Sequence, residues 1–506
     1  MAITRRLALA STAAVALLSA PGRAAAASYA PGSYPATSVL PEDQRHLVGR
    51  FSYGLTPALR DEVVAAGTAR TWFEEQLAMP ATSELDGWWP DLALTAEQIW
   101  QRSATGVREG WQVMADYGRR LLARRITTQA QLREVLTEFW ENHFHIPTTG
   151  DAQFPHRVAY GDLIHTLALG SFTELLQGVV THPAMTIYLS GYDSTKAHPN
   201  ENLGREVLEL HTVGVGNFTE DDVKNAARIL TGFHVDMWQT FTPSYQPQDH
   251  WTGPVSVLGF SSANAEADGR PVVTALLDYL AHHELTATRI ARKLATYFVS
   301  DDPPASLVAR LEQAYLAGDT AIAPVLRELV DSEEFRDSVD AKLRTPGEDL
   351  VATYRLRVAE LAQPASSDSA ANVILWQASG LGQQPMVWPR PDGAPLTAAT
   401  WASPSRALAS LNLHANMAGG WWPTEDITYH PPADWTPTLP IAFRDLVDHL
   451  ARLLHHRPST ASVLEGACLA TGTSPDTTVT SGSDLFTWRA PQLLAALLDH
   501  PTWYRR

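Results

Sequence analysis

The stretch "HPNENLGREVLELHTVGVGNFTEDDVKNAARILTGFH", residues 198–234, holds two consecutive helical patterns separated by glycines. Asn200 is a candidate N-cap for the first helix, in which apolar residues recur every three or four positions. Thr219 begins a capping-box pattern for the second helix, whose apolar face carries small alanines that allow close packing. The stretch therefore predicts two packed helices, at 198–212 and 219–231.

The same helical spacing of apolar residues continues along almost the whole chain, and alternating strand patterns are scarce. Stretches rich in Pro and Ser at 363–371 and 383–404 predict long loops packed on the body. We therefore expect an all-α fold with one large helical body. The expected organisation is a linker at 28–45, a helical core at 46–360, and a loop-rich, then helical C-terminal part at 361–506.

The N-terminus has the features of a secretory signal peptide at 1–27. Arg5 and Arg6 precede an apolar run that is too short to span a bilayer, and a tract of alanines follows as a candidate cleavage site. Adjacent arginines here are typical of twin-arginine export, and an ordinary secretory signal is the alternative. We expect a secreted protein that does not insert into the membrane after signal cleavage.

Composition limits the classes of partner. The chain of 506 residues has a formal net charge of −17, which disfavours nucleic acid, whose phosphates bind clustered Lys and Arg. The single cysteine, Cys468, cannot form an internal disulfide and cannot build a Cys-rich zinc or iron–sulfur site. The expected partner is an extracellular polymer or a small-molecule substrate.

Charged residues cluster on the first helix of the opening stretch. Glu201, Arg205 and Glu209 are spaced four apart, so they can form a ladder of ion pairs on a solvated face. Asn202 and Glu206 lie on the same arc of the helix. Three carboxylates around one guanidinium often mark a site where one carboxyl stays protonated. The charges therefore have two interpretations, a solvated stripe or a catalytic group made of Glu201, Arg205, Glu206 and Glu209.

A second polar cluster lies in "FWENHFHIP", where the proline ends a helix. His143 and His145 are two residues apart, and their imidazoles can either bond the free carbonyls of the helix end or belong to a site. Glu209 and His211 have the same spacing at their own helix end. The candidate binding residues are Trp140, Asn142, His143, His145, Asn202 and His211.

The motifs resemble those of an exported bacterial family that is catalogued as a domain of unknown function, number eighteen hundred in that catalogue. The matching segments include "HLVGRFSYGLTP", "FWENHFHIP", "HPAMTIYLSG", "NENLGREVLELHTVGVG", "RIARKLATYFVSDDPP", "KLRTPGEDLVATYR" and "QQPMVWPRPDG". The chain departs from the family in lacking a longer glycine-rich insert before Asn217 and in having Phe233 where the family tends to have tryptophan. The resemblance implies export and a largely helical fold, without an established activity. It also implies that Asn202, Arg205, Glu206, Glu209 and the histidines belong to the family signature.

Three functions fit these patterns. A secreted hydrolase of glycan or cell-wall polymer would use two carboxylates, with Glu206 and Glu209 as candidates and Glu141 or Asp193 as alternative partners. An exported metal-dependent oxidoreductase or hydrolase would bind a divalent or transition metal ion. Its candidate ligands are His143, His145, His211 and Glu206. In a secreted scaffold or binding protein, the same motifs would fix helix junctions.

The expected geometry places Glu206 in a cavity beside His143 or His145, with Arg205 paired to Glu201 or Glu209. If this helix face is instead solvent-exposed, we expect the site among the tryptophan-rich loops, which lie at 88–90, 388–401 and 421–423.

Overall fold

Helices dominate the structure, a computed structural model that describes residues 29–32, 34, 36–81 and 85–506 apart from the side chain of Thr487. The helical share is 56% and the strand share 7%, so the expected all-α fold is confirmed. The expected signal peptide lies outside the described residues. No helix in the described part is both long and apolar enough to cross a bilayer.

The α-helices fall into three groups along the chain. The first group comprises α1 Glu42–Arg50, α2 Pro57–Ala65, α3 Ala69–Ala78, α4 Ala96–Ala104, α5 Gly110–Thr127, α6 Gln131–His143, α7 Phe154–Leu167, α8 Phe172–Val180 and α9 Pro183–Tyr188. The second comprises α10 Glu201–Glu206, α11 Glu220–Ile229, α12 Arg270–Ala281, α13 Glu284–Phe298, α14 Ala305–Ala317, α15 Ile322–Asp331, α16 Glu333–Arg336 and α17 Pro346–Arg357. The third comprises α18 Ala370–Gly380, α19 Pro404–Gly419, α20 Phe443–Leu454, α21 Ala461–Thr471 and α22 Ala490–Leu498.

The strands form short antiparallel pairs between the helices. The pairs are β1 Phe233–Val235 with β2 Pro243–Tyr245, β3 Val255–Val257 with β4 Phe260–Ser262, β5 Val358–Leu361 with β6 Ile427–Tyr429, and β7 Ile441–Ala442 with β8 Thr478–Val479. The strand-like run "GPVSVLGF" of the sequence becomes the β3–β4 hairpin.

Apolar side chains pack into two large clusters. The main core extends from Leu40 to Met417, and a second cluster gathers α20, α21 and α22 with the chain between them. Residues of α18 and α19 belong mainly to the main core. Tyr29 and Tyr34 pack against the second cluster, which ties the N-terminal segment to the C-terminal helices.

The opening stretch forms the expected helix pair with one irregularity. The side chain of Asn200 caps α10, and Thr219 caps α11 in a capping box with Asp222. The two helices pack so closely that a Cβ atom on Gly204 would lie 2.7 Å from a backbone oxygen of α11. However, α10 ends at Glu206, and Val207–His211 forms a π-helical turn. Because π turns are frequent at functional sites, the irregularity draws attention to this helix end.

Candidate functional site

A cavity of about 270 Å³ lies where three of the signature segments meet. Its wall contains residues from the end of α6, from the first turn of α17, and from the loop between Gln383 and Trp401. Its aromatic lining consists of Phe139, Tyr297, Trp388 and Trp401. Gly382 and Pro389 in the wall are exposed, so the cavity reaches the protein surface.

Specific hydrogen bonds hold the loop against α6. The side chain of Asn142 donates to the carbonyl oxygen of Ala394 at 2.8 Å and accepts from the Ala394 amide at 2.6 Å. Gly393 has a φ of +78°, and a Cβ atom there would clash with the backbone oxygen of Asn142, so only glycine fits. Gln383 accepts from the backbone amide of Gly347 at 2.9 Å, which ties the same loop to α17.

Two polar atoms on neighbouring residues of the wall lack a partner. Nε2 of His145 lies 2.7 Å from the carbonyl oxygen of Trp388, so Nε2 carries the hydrogen and Nδ1 has a free lone pair. Burial lowers the pKa of His145 and keeps the ring neutral. Within the described chain, neither Nδ1 of His145 nor Nε1 of Trp388 has a hydrogen-bond partner. The wall therefore presents one unpaired acceptor and one unpaired donor.

The two carboxylates of the cavity wall are both engaged by the protein. Glu138 forms an ion pair with Arg125 at 3.0 Å and accepts a hydrogen bond from the hydroxyl of Tyr53. Glu348 caps its own helix α17 and forms an ion pair with Arg506. All four carboxylate oxygens therefore accept at least one hydrogen bond from the protein.

A lysine–histidine cluster adjoins the same helix end. Lys293 on α13 donates to Nδ1 of His143 at 2.9 Å, and Nε2 of His143 donates to the carbonyl oxygen of His211 at 3.1 Å. Burial, followed by the positive charge of Arg289, lowers the pKa of Lys293 to about 7. This cluster joins the opening stretch to "FWENHFHIP" through His143 and His211.

The charged stripe of α10 faces solvent. Arg205 pairs with Glu220 of α11 at 2.6 Å, instead of with Glu201 or Glu209 as expected. Glu201 and Asn202 are exposed. The expected ladder assumed a regular helix, and the π turn that follows Glu206 changes the angular spacing of the residues after it. The pairing expectation for Arg205 is therefore corrected.

Glu206 and Glu209 remain together at this helix end, outside the cavity. Both side chains are half-buried, and no residue of the opening stretch lines the 270 Å³ cavity. Burial, followed by the negative charge of Glu209, raises the pKa of Glu206. The expected position of Glu206, in a cavity beside His143 or His145, is therefore corrected. The raised pKa of Glu206 means that this carboxyl favours its protonated form.

Three other candidates of the sequence do not border the cavity. Trp140 is fully buried and donates to the carbonyl oxygen of Ala168 at 3.0 Å, so it is a core residue. Glu141 is fully buried and pairs with Arg157 at 3.1 Å. Asp193 is exposed.

The candidate metal ligands do not converge. Among the residues that the structure describes, no group of three His, Cys, Asp or Glu side chains could hold a metal ion. Because α6 ends at His143, the side chains of His143 and His145 bond different neighbours. Lys293 donates to His143, whereas His145 donates to the carbonyl oxygen of Trp388. Glu206 lies apart from His145, which lines the cavity. The ligand set of His143, His145, His211 and Glu206 is therefore not supported by the geometry.

Several residues of the site were not predicted from the sequence. Tyr297 and Glu348 were not singled out, although the segments that contain them belong to the family signature. Trp388 and Trp401 lie in one of the tryptophan-rich loops named as the second place to search. The spacing of the motifs along the chain gave no sign that α6, α17 and this loop meet.

Comparison with known proteins agrees with the resemblance seen in the motifs. A family model described as "Protein of unknown function (DUF1800)" matches residues 46–505. No curated protein and no solved structure gives a significant match. The matched range contains the lysine–histidine cluster, the opening stretch and every residue of the cavity wall except Arg506. Because the match covers most of the chain, this protein belongs to the DUF1800 family of proteins of unknown function.

Proposed function

We propose that this chain is an exported protein that binds one sugar unit of an extracellular glycan in the 270 Å³ cavity. The unpaired ring nitrogen of His145 and the unpaired indole N–H of Trp388 carry the proposal. Buried polar atoms normally have a partner, so such atoms at a cavity wall point to a polar ligand. A hydroxyl group both donates and accepts, and one ligand hydroxyl or two neighbouring ones can therefore satisfy both atoms.

The size and lining of the cavity support a sugar. Small-molecule sites usually measure roughly 300–1,000 Å³, so this cavity suits a ligand of monosaccharide size. Aromatic rings such as those of Tyr297, Trp388 and Trp401 can cover the apolar faces of a sugar ring. A polymer would therefore bind through a single terminal unit.

The test is calorimetric titration of the purified mature protein with a panel of neutral monosaccharides and the matching disaccharides. Trp388→Phe keeps an aromatic ring but removes the N–H. We expect this variant to bind the sugar about five- to tenfold more weakly, because that factor corresponds to the loss of one hydrogen bond. The matched control is Trp376→Phe, because Trp376 is 60% exposed and lies outside the cavity. Binding that is equal in both variants, or no binding across the panel, would contradict the proposal.

Hydrolysis of a glycan is a second candidate, supported by the raised pKa of Glu206 beside Glu209. A glycosidase needs one protonated carboxyl as the acid and one carboxylate as base or nucleophile. We expect Glu206→Gln to abolish turnover of aryl glycosides, and activity to fall as pH rises through the raised pKa of Glu206. Glu465→Gln is the control, because Glu465 is exposed on α21 and lies outside both the cavity and this helix end. Full activity in Glu206→Gln would exclude this helix end as the catalytic centre.

A further inference from the structure

A second cavity, of about 50 Å³, lies at the junction between the main core and the second cluster. Its wall is built from α1, from the segment that precedes α17, from the end of α20 and from residues 502–506. A water needs roughly 10–15 Å³ of such space, so this cavity can hold a few waters or one small ion.

The wall of this cavity is strongly basic. Among the described residues that form it, Asp340 is the only acidic one, and the arginines are Arg45, Arg344, Arg457, Arg505 and Arg506. Asp340 is bound by Arg457 through two hydrogen bonds of 2.7 Å, so its charge is already matched. Arg506 pairs with Glu348 outside this wall, and Arg45 pairs with the exposed Glu42.

Arg344 and Arg505 complete the wall without a carboxylate of their own. Arg344 donates to the carbonyl oxygen of Trp503, and its guanidinium carbon lies 4.4 Å from the centre of the Trp503 ring. Arg505 donates to the carbonyl oxygen of Asp340 at 3.2 Å. In the described part of the chain, no carboxylate lies within ion-pair distance of either guanidinium. The junction therefore carries excess positive charge, which favours a bound anion.

His456 belongs to the same wall and carries a hydrogen-bond acceptor that is unpaired within the described chain. His456 is 5% exposed, and its Nε2 donates to the carbonyl oxygen of Leu55 at 2.8 Å, which leaves Nδ1 with a lone pair. Burial, together with the nearby arginines, lowers the pKa of His456 to about 3, so the ring is neutral at pH 7. Nδ1 has no partner among the described residues. A fitting anion must therefore carry a hydrogen that it can donate.

We propose that this cavity binds inorganic hydrogen phosphate. Its charged oxygens accept hydrogen bonds from the guanidinium groups of Arg344 and Arg505, and its P–OH group donates to Nδ1 of His456. Sulfate has the same shape but no hydrogen at neutral pH, so it leaves Nδ1 of His456 unpaired and binds more weakly. Because α1, the segment before α17 and the chain after α20 all line this wall, a phosphate bound there holds these parts together.

The test is calorimetric and thermal titration of the full mature protein with inorganic phosphate at pH 7, in phosphate-free buffer of constant ionic strength. We expect saturable binding of one phosphate and a thermal midpoint that rises with phosphate concentration. Sulfate should bind at least about tenfold more weakly, the value of one hydrogen bond to a charged group. Glycerol phosphate should also bind at least about tenfold more weakly, because at pH 7 it is mainly a dianion without a P–OH hydrogen to donate to Nδ1 of His456.

Two variants separate this site from general salt effects. Arg344→Met should weaken phosphate binding about tenfold or more, since it removes a charged donor. Arg505→Gln changes an exposed side chain, so the fold is retained, and it should weaken phosphate binding severalfold. The control is Arg444→Gln, in which an exposed arginine of the second cluster loses its pair with Asp476 far from this wall.

Three outcomes would overturn the proposal. The first is equal stabilisation by phosphate, sulfate and chloride, which would be an ionic-strength effect. The second is unchanged phosphate binding in both Arg344→Met and Arg505→Gln. The third is binding of glycerol phosphate as tight as that of phosphate, which would show that the occupant is an ester.

Discussion

His145 and His414 are both buried histidines, yet their surroundings differ in one respect. His414 on α19 bonds Asp499 through Nδ1 at 2.8 Å and Asp349 through Nε2 at 3.1 Å. Within the part of the chain that the structure describes, His145 bonds a single carbonyl, and its Nδ1 has no partner at the wall of the larger cavity. A polar cluster that is satisfied within the protein contributes to the fold, whereas one with unpaired atoms beside a cavity has capacity for a ligand.

The position of each cluster agrees with this distinction. Asp349 also accepts from Ser410 at 2.6 Å and from the indole of Trp503 at 2.8 Å, so the His414 cluster connects α17 and α19 with the residues that follow α22. The His145 cluster lies where three signature segments meet around open space. The His414 cluster is therefore expected to control stability, and the His145 cluster to control binding.

The largest effect is expected for Asp349→Ala. This change leaves the protonated His414 without one partner and leaves two further donors unpaired. Loss of one partner of a buried ion pair costs about 3–5 kcal/mol, and the midpoint of urea unfolding should fall accordingly. Asp476→Ala removes a carboxylate from an exposed ion pair and serves as the control, with an unchanged midpoint. Similar midpoints for the two variants would contradict a structural role for the His414 cluster.

The next effect depends on pH. The charges of Asp349 and Asp499 outweigh burial and raise the pKa of His414 to about 9. Because the folded pKa lies above the unfolded value of about 6.5, the stabilisation is fully present below pH 6.5 and is lost as pH rises through 9. The difference in unfolding free energy between wild type and His414→Gln should therefore shrink by about 3 kcal/mol between pH 6 and pH 10. A difference independent of pH would show that His414 is neutral in the folded protein.

A matched pair of tryptophan variants compares the two clusters directly. Trp503→Phe removes an N–H that donates to Asp349, whereas Trp388→Phe removes an N–H that has no partner in the described chain. A hydrogen bond to a charged group contributes about 1.5–3 kcal/mol, so Trp503→Phe should destabilise the protein by about that much more than Trp388→Phe. Urea unfolding measures both values. Equal losses would indicate that the N–H of Trp388 is bonded within the free protein.

The smallest effect is expected for Arg205→Ala. Arg205 pairs with Glu220 on the protein surface, where ion pairs contribute little to stability. The midpoint of urea unfolding should therefore not change measurably. A large loss of stability would mean that the charged face of α10 is covered by a partner in solution.

Local patterns predicted much of the architecture. The N-caps at Asn200 and Thr219 depend on neighbours within a few residues, and the structure has both of them. The Arg205 pairing was predicted incorrectly, because the π turn after Glu206 displaces Glu209 and because the packing of α11 brings Glu220 to Arg205. A π turn is not visible in the apolar spacing, since it shifts the helix by a single residue.

The sequence by itself determined the helical class, the helix pair at the opening stretch and the membership of a family whose segments recur in order. These properties depend on periodicity and on local capping, which a linear chain displays directly. Only the tertiary structure decided that His145 meets Trp388, that Lys293 meets His143, and that arginines from four separate segments surround one small cavity. Contacts between residues that are distant in sequence depend on how whole helices pack, and the spacing of residues along the chain does not record that packing.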